Sequence, residues 1–410
     1  MNAEQVIQSI HRAQLTGKKV GLENTYKLIK RLNIEPSDIP SIHVAGTNGK
    51  GSVCAMLESA LRAAGKKTGL YTSPFLQLYN ERFAINGHSI DDDMLAYYGE
   101  KVLKEGETLQ ATSFELGTAL ALLLFKSEKV DMAVMEVGLG GRLDPTNVIM
   151  PRLSVITAIG MDHMRILGNS LPEIAYEKAG IIKTDVPVVV QGGEEAVLSV
   201  FRRQAELMNA PLIKAQDIPY RVCSMDRYGS VLEVGQDTYA IGLPGEHQHK
   251  NALTAIAALK QLGLSEASIQ AGLGRAQWPG RLEWCGNILI DGAHNAQGTA
   301  ALRRYVEGQL PNCHRTVIFG MLDEKLSEEV LRDIQAIGDE ILTVPIKNPK
   351  ALDAQMLAAR FGNAAAAQSL QEALSTAREK ASLHEKGCII VAGSLYLVGE
   401  VRSLLSLEPR

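Results

Sequence analysis

Apolar runs alternate with amphipathic segments along most of the chain, and this alternation predicts strands that alternate with helices. In the first half, the runs that predict buried strands lie at residues 41–45, 68–74, 132–137, 153–159 and 186–190. The spacing of apolar side chains predicts helices at residues 4–14, 24–32, 91–104, 112–127 and 171–182, with another that begins at Ser52. Such a sequence forms a mostly parallel sheet with helices on both faces.

A glycine-rich turn, His43-Val-Ala-Gly-Thr-Asn-Gly-Lys-Gly-Ser-Val53, joins the first of these strands to its helix. A strand, a glycine turn and a helix together direct free backbone N–H groups and the positive helix end at a phosphate. The turn departs from the usual P-loop pattern at Val44 and Gly51. It still predicts a nucleoside-triphosphate site made of Gly46, Thr47, Asn48, Gly49, Lys50, Gly51 and Ser52.

Two segments depart from the strand–helix alternation. Residues 82–90 predict a β-hairpin, because Asn86-Gly87 is a favoured two-residue turn. Residues 220–243 predict short antiparallel strands at an edge of the sheet, and helices follow at 248–262 and 266–273.

The helical pattern stops at Ala276-Gln-Trp-Pro-Gly280, and a second α/β alternation follows. We expect its strands at 288–291, 316–320, 341–344 and 389–392, and its helices at 297–309, 327–337, 353–361, 369–381 and 395–406. The predicted fold is therefore α/β with two domains. Residues 1–278 form a P-loop-containing, mostly parallel, doubly wound sheet domain, and residues 279–410 form a smaller Rossmann-like α/β domain.

Composition narrows the class of protein. The 410 residues carry a net charge of -4, and 46% are hydrophobic and 21% charged, as in ordinary globular proteins. A general nucleic-acid or membrane-surface binder is normally basic. Residues 1–14 lack the apolar core of a signal peptide, and the five scattered cysteines form no metal or disulfide pattern. We expect a cytoplasmic monomer that binds neither nucleic acid nor membranes.

Three polar residues stand at predicted strand ends, where ligands of open parallel sheets bind. Ser73 and Glu136 offer oxygen atoms suited to Mg²⁺, and His163 follows a glycine turn. The alternatives are a surface carboxylate for Glu136 and a hydrogen-bonded structural histidine for His163.

Two further turns carry polar groups. Gly138-Leu-Gly-Gly141 lacks the full spacing of a dinucleotide fingerprint and predicts a tight turn. Arg142 and Asp144, which follow it, contact a polar substrate or pair with each other. In the second half, Asp291-Gly-Ala-His-Asn295 places an acid, an imidazole and an amide before a helix. This arrangement suits an anion or nucleotide site, or else a simple helix cap.

Several stretches together resemble one family, the folylpolyglutamate synthases of the Mur-ligase superfamily. They lie in order from about residue 20 to about residue 400. The stretches are His43–Ser52, Tyr71-Thr-Ser-Pro-Phe75, Asn80-Glu-Arg82, Glu136–Asp144, Asp162-His163, Ile174-Ala-Tyr-Glu-Lys-Ala-Gly-Ile181, Pro279-Gly-Arg281, Asp291-Gly-Ala-His-Asn295 and Ala392-Gly-Ser394.

The resemblance implies a ligase that uses ATP and Mg²⁺ to join L-glutamate to a folate, and in some members to dihydropteroate, through an acyl phosphate. It implies ATP contacts from the glycine turn, Asn251, Arg281 and Asp291, and catalytic roles for Lys50, Lys178, Asp291 and His294. Ser73 and Glu136 would bind one Mg²⁺ and His163 a second. Arg82, Asp144 and Ser394 would lie on the substrate side. Lys178 matches a lysine that is carbamylated in this superfamily, although its sequence context alone indicates only a helix-surface charge.

The sequence also departs from the family, at Asp323-Glu-Lys325 and at Asn348-Pro-Lys350. These segments lie near the expected glutamate side. Two other interpretations remain open: a Mur-type amide ligase with a different carboxylate acceptor, and a non-catalytic NTP-binding protein. The first lacks support because the ATP-domain pattern starts near residue 41, without the preceding domain of about 100 residues that cell-wall ligases carry. The second is disfavoured because the chain retains all of the following: Lys50, Glu136, His163, Lys178 and Asp291.

Overall fold

The computed structural model describes residues 1–16 and 21–410, so most of the segment Thr16–Gly21, which we expect to join the first two predicted helices, lies outside the described residues. The described residues separate into two units. The first contains Met1–Cys223, Val231–Gly242 and Gln248–Gln277, and the second contains Ser224–Ser230, Leu243–His247 and Trp278–Arg410. No helix in residues 1–16 or 21–410 is both long and apolar enough to cross a membrane.

An eight-stranded sheet forms the centre of the first unit, in the order β4-β3-β2-β5-β1-β6-β7-β8. Its strands are β1 (Ser41–Ala45), β2 (Thr68–Tyr71), β3 (Phe83–Ile85), β4 (His88–Ser89), β5 (Met132–Glu136), β6 (Leu153–Ile156), β7 (Val188–Val190) and β8 (Leu212–Lys214). All pairings are parallel except those of the hairpin strands β3 and β4. The predicted hairpin and the mostly parallel sheet are therefore confirmed.

Helices surround this sheet. They are α1 (Ala3–Thr16), α2 (Glu23–Arg31), α3 (Lys50–Ala63), α4 (Asp92–Glu107), α5 (Ser113–Ser127), α6 (Met164–Leu167), α7 (Leu171–Ala179), α8 (Glu195–Leu207), α9 (His247–Gln261) and α10 (Glu266–Arg275). Asp91 and Thr112 cap α4 and α5 by accepting hydrogen bonds from Met94 N and Glu115 N, as the sequence predicts.

Two apolar clusters hold these helices to the sheet. One joins side chains of α1, α2, α4 and α5 to Tyr71, Ala133 and Met135 of the sheet. The other joins α7 and α8 to Ile156, Val188 and neighbouring strand residues. The burial of apolar surface in these clusters drives the assembly of the unit.

Helix α3 begins at Lys50, two residues before the predicted start, so the phosphate-loop lysine is part of the first helical turn. Helix α10 packs closely against it. Ser59 Oγ donates a hydrogen bond to the Gly272 carbonyl oxygen at 2.8 Å. A Cβ atom on Gly272 would lie 2.2 Å from Ala60 Cα, so only glycine permits this approach.

Residues 220–243 form a sheet of their own, which corrects the predicted position at an edge of the larger sheet. Its order is β11-β10-β9, with β9 (Tyr220–Met225), β10 (Ser230–Val234) and β11 (Asp237–Ile241). The eight-stranded sheet ends instead at β8, a strand of three half-buried residues that the apolar pattern does not reveal.

The second unit is built on a six-stranded sheet in the order β12-β13-β17-β14-β15-β16. Its strands are β12 (Glu283–Cys285), β13 (Ile288–Ile290), β14 (His314–Phe319), β15 (Glu340–Thr343), β16 (Ala364–Ala366) and β17 (Gly387–Ala392). Its helices are α11 (Ala296–Gln309), α12 (Glu328–Ile337), α13 (Ala354–Ala358), α14 (Leu370–Ser382) and α15 (Leu395–Leu404). Only β12 pairs antiparallel, so the second predicted α/β sheet is confirmed.

Candidate active site

The phosphate loop lies where the strand order of the first sheet reverses. The chain leaves β1, forms β2 and β5 on one side of it, and returns to form β6 on the other side. Ligands of open α/β sheets bind outside the carboxyl ends of strands at such a point. The phosphate loop, Glu136 and the segment Thr157–His163 follow β1, β5 and β6, so they share this edge.

Two glycines of the loop allow neighbouring groups to approach its backbone. Gly46 has φ +150°, and a Cβ atom on it would lie 1.8 Å from Thr157 Oγ1. Gly49 caps α3 in the left-handed region at φ +87°, and a Cβ atom there would lie 2.4 Å from Asn251 Oδ1. Side chains at either position would displace the loop, so the loop geometry depends on glycine.

Lys50 folds back over the loop. Its Nζ donates to the carbonyl oxygens of Gly46 at 3.1 Å and of Thr47 at 3.3 Å. Thr47 in turn is tied to the segment after β6, since its Oγ1 donates to Gly160 O and accepts from Gly160 N, both at 3.1 Å. The ammonium group is thus held at the loop, where it can exchange two weak carbonyl contacts for phosphate oxygens.

A series of hydrogen-bonded, buried side-chain amides ends at the phosphate loop. Gln191 Nε2 donates to Asn251 Oδ1 at 2.8 Å, and Asn251 Nδ2 donates to Gln248 Oε1 at 2.9 Å. Gln248 Nε2 then donates to Ser52 Oγ at 3.2 Å. The structure therefore places Asn251 against Gly49, and Gln248 against Ser52, beside the phosphate loop. Sequence reasoning missed Gln191 and Gln248; the one available signal was the helical spacing of Gln248 and Asn251.

Two of the three predicted metal ligands lie together. Glu136, at the end of β5, is only 4% exposed, so the alternative of a surface carboxylate is wrong. The backbone N–H of Ser73, which follows the neighbouring strand β2, donates to Glu136 Oε2 at 3.2 Å. A buried carboxylate is a hard oxygen donor of the kind that Mg²⁺ prefers, and a serine hydroxyl is another.

His163 lies elsewhere on the same edge. It stands in the left-handed region, at φ 48°, just before α6, and its Nε2 lies 3.9 Å from Asp162 Oδ1. β1 separates its strand, β6, from β5. Within residues 1–16 and 21–410, no three His, Cys, Asp or Glu side chains are grouped to hold a metal.

Lys178 is buried in α7, so its interpretation as a helix-surface charge is wrong. Burial and the positive charge of Lys50 lower the pKa of Lys178 to about 7, although Asp162 and Asp144 attract its charge. Its neighbour Glu177 instead accepts from Arg142 at 2.8 Å. A lysine with this pKa has a large neutral fraction at physiological pH.

Arg82 lies in an aromatic cage. Its Cζ stands 5.8, 5.4 and 5.2 Å from the ring centroids of Tyr71, Tyr79 and Phe114. The side chain is 9% exposed and its Nε has no hydrogen-bond partner. Such a guanidinium, held against rings, keeps donor capacity for a carboxylate or phosphate.

Asp144 organises the turn that follows Glu136. Its Oδ2 accepts from Gly138 N at 3.1 Å and from Leu139 N at 2.9 Å, and its Oδ1 accepts from Thr146 N at 3.0 Å. Burial raises the pKa of Asp144 despite these bonds. Because Arg142 pairs with Glu177, the alternative that Arg142 and Asp144 pair with each other is wrong.

In the second unit, Asp291 and His294 follow β13 and Ser394 follows β17, two strands that are adjacent and parallel, whereas Arg281 precedes β12. Asp291 accepts from Leu282 N and Ala293 N, both at 2.8 Å, and burial raises its pKa. Arg281 donates to Gly280 O at 2.9 Å, and His294 Nδ1 lies 2.7 Å from Gly292 O.

Two residues of the quoted motifs in this unit cap helices. Asn295 accepts from Gly298 N at the start of α11, so the cap alternative holds for Asn295. Ser394 accepts from Tyr396 N at the start of α15. Both helices therefore begin at the sheet edge that carries Asp291.

A phosphate loop beside a buried carboxylate and a buried lysine, followed by a second α/β unit, defines an ATP-dependent ligase of the Mur type. Residues 44–259 match the family described as Mur ligase middle domain, and residues 283–406 match the dihydrofolate synthetase C-terminal domain. A dihydrofolate synthase/folylpolyglutamate synthase of Bacillus subtilis (strain 168) is 34% identical, over 97% of each chain. One of Escherichia coli (strain K12) is 32% identical, over 94% of this chain and 91% of its own.

Comparison with solved structures points to the same family. A Mycobacterium tuberculosis folylpolyglutamate synthase complexed with ADP and AMPPCP has a TM-score of 0.90 and 29% identity, covering 99% of this chain and 100% of that one. E. coli FolC in complex with DHPP and ADP has a TM-score of 0.88 and 31% identity, covering 98% and 97%. The chain belongs to the folylpolyglutamate synthase/dihydrofolate synthase family, whose members are ATP-dependent ligases.

Proposed function

We propose that the protein joins L-glutamate to a folate carboxylate at the expense of ATP, with tetrahydrofolate, dihydropteroate or both as acceptor. The observation that carries the proposal is the phosphate loop, which shares one sheet edge with the buried Glu136. The name of the B. subtilis relative contains both activities. Similarity along nearly the whole chain disfavours a cell-wall acceptor and a non-catalytic nucleotide binder.

The reaction proceeds in two steps. An oxygen of the folate carboxylate attacks the γ-phosphorus of ATP, the bond to the β,γ-bridging oxygen breaks, and ADP leaves with that oxygen. The amino group of glutamate then attacks the acyl carbon, and inorganic phosphate leaves as the amine loses a proton. Phosphorylation converts a poor electrophile into a good one, so the first step needs mainly positioning and charge neutralisation.

Lys50 and the backbone N–H groups of residues 46–52 hold the ATP phosphates in this proposal. Arg82, the buried guanidinium in the aromatic cage, neutralises the folate carboxylate as it approaches the γ-phosphate. Asn251 contacts the adenine of ATP, and its hydrogen bonds to Gln191 and Gln248 orient its amide.

Ser73 and Glu136 would hold one Mg²⁺, and His163 a second. Bound Mg²⁺ supplies charge neutralisation of the phosphate oxygens. The buried carboxylate of Glu136 supports the first assignment, because it lies beside the Ser73 backbone at the phosphate edge.

Lys178 is carbamylated in the active enzyme. An amine must be neutral to attack CO₂, and the pKa of about 7 leaves a large neutral fraction at physiological pH. The carbamate would replace a buried cation with an anion near Lys50, which removes the repulsion between the two lysines.

We assign the second domain, residues 279–410, to nucleotide and glutamate binding. Arg281, Asp291 and His294 serve the nucleotide and phosphates, and Ser394 lies on the glutamate side. Support comes from their position at strand ends of a parallel sheet. We also propose that a cytoplasmic monomer is the active form.

The test is ADP release from purified protein with ATP and Mg²⁺. We expect ADP only when L-glutamate and either dihydropteroate or tetrahydrofolate are both present, and parallel assays identify the acceptor. Lys50→Ala should abolish this release while retaining the circular-dichroism spectrum of the wild type. ADP formation that needs neither folate nor glutamate would contradict the proposal.

A further inference from the structure

A buried hydrogen-bond chain connects the strand that precedes the phosphate loop to the turn that follows Glu136. His43, on β1, is fully buried, and its Nε2 lies 2.8 Å from Thr146 Oγ1. Thr146 Oγ1 lies 2.5 Å from Asp144 Oδ1. Asp144 Oδ2 in turn accepts the N–H groups of Gly138 and Leu139. His43 and Thr146 have no assigned role in the reaction steps above.

The direction of the hydrogen bonds in this chain follows from the number of protons available. An ionised Asp144 only accepts, so the single hydroxyl proton of Thr146 goes to Asp144. The oxygen of that hydroxyl must then accept from His43, which requires a proton on Nε2. Nδ1 of His43 is buried and has no hydrogen-bond partner, which agrees with an unprotonated Nδ1. The chain therefore fixes one neutral tautomer of His43.

The linkage has a mechanical consequence. His43 stands three residues before Gly46, in the central strand of the sheet. Asp144 closes the Gly138–Gly141 turn, which begins two residues after the candidate metal ligand Glu136. A donor in β1 thus restrains the carboxylate and, through it, the turn. Small displacements of such supporting groups alter the geometry of a site they do not touch.

We propose that His43 and Thr146 are positioning residues of the folate site, which hold Asp144 and the Gly138–Gly141 turn in the substrate-binding conformation. This inference rests on the proposed function, and it takes Asp144, with the turn that Asp144 closes, as part of the folate side, as the family resemblance implies for Asp144. His43 and Thr146 act through Asp144 and make no contact with the substrate. Removal of either donor should weaken folate binding and leave ATP binding intact.

The experiment compares matched variants in pairs. His43→Leu and Thr146→Val remove a donor at similar volume, whereas His43→Gln places an amide N–H near the Nε2 position and Thr146→Ser keeps the hydroxyl. We expect His43→Leu and Thr146→Val to raise KM for the accepted folate about tenfold with KM for ATP within about twofold. The Gln and Ser variants should restore most of the affinity. Ser41→Ala, a buried hydroxyl on the same strand, is the control and should change neither KM.

Two measurements do not depend on turnover. Calorimetric titration of dihydropteroate and tetrahydrofolate without glutamate measures binding alone, and thermal unfolding shows that each variant folds. Nitrogen-15 NMR, with the His43 signals assigned by their loss in His43→Gln, should show a protonated Nε2 and an unprotonated Nδ1.

Three outcomes would overturn the inference. The NMR spectrum could show the opposite tautomer of His43, the variants could change KM for folate and KM for ATP equally, or His43→Leu could leave KM for folate unchanged. A wild-type protein that ligates no glutamate to any folate would instead refute the proposed function. In that case the NMR measurement would still report on the hydrogen-bond chain. The two failures are therefore distinguishable.

Discussion

At the scale of single residues, Lys178 shows how strongly the fold changes the meaning of a side chain. It is 4% exposed, and its pKa of about 7 lies far below the ordinary 10.5. Between these two values the unfolded chain binds a proton that the folded chain does not, so this group makes stability rise with pH from 7 to 10.5. Below pH 7 Lys178 is charged in the folded protein as well, so the full cost of burying this charge is subtracted from the free energy of unfolding.

Lys178→Met should therefore abolish most glutamate ligation and yet raise Tm. The gain in Tm should be several degrees at pH 6. It should shrink towards pH 10, because Lys178 of the folded wild-type protein is neutral at that pH. Calorimetry at both pH values in CO₂-free buffer measures this difference. A gain independent of pH would show that the shifted pKa is not its cause.

Glu136 carries the prediction about metal binding. Glu136→Gln keeps the volume and the contact with the Ser73 backbone but removes the charge, so the Mg²⁺ concentration for half-maximal activity should rise about tenfold or more. Glu136→Asp keeps the charge on a shorter side chain, so its Mg²⁺ concentration for half-maximal activity should lie between those of the wild type and Glu136→Gln. An unchanged Mg²⁺ response in Glu136→Gln would place the metal elsewhere.

At the scale of elements, the phosphate loop depends on close packing with the segment after β6. In Gly46→Ala, the new Cβ atom would meet Thr157 Oγ1, and the residue would keep a φ of +150° that alanine disfavours. We expect KM for ATP to rise at least about tenfold, with a loss of stability. Gly308→Ala is the matched control. That glycine lies in α11 with no atom within 4 Å of a built Cβ, so alanine should stabilise the protein by about 0.5–1 kcal/mol.

Sequence patterns predicted the elements with long apolar runs and clear caps, including β1, α3 and α5. They missed β8 and β12, which are three residues long and half-buried, so hydrophobic alternation carries little signal there. The separate sheet of β9–β11 was placed at an edge because alternation reveals strands but not their partners. Gln191 and Lys178 could not be assigned from local sequence, since their partners lie far along the chain.

At the scale of the whole molecule, our proposal is that the active enzyme is a monomer. Multi-angle light scattering should therefore give a mass near 44.4 kDa that does not change with protein concentration or with added ATP and Mg²⁺. Specific activity should likewise be constant on dilution. A stable mass of twice this value, with activity lost on dilution, would contradict the monomer.

The amide chain from Gln191 through Asn251 and Gln248 to Ser52 should limit how these positions vary among related sequences. Asn251 and Gln248 each donate and accept within this chain, so an apolar replacement of any of the three amides leaves a neighbour one hydrogen bond short. Asn251 and Ser52 are also assigned to ATP binding. We therefore expect an alignment of relatives to show Gln191 and Gln248 varying as little as the glycine loop that they support.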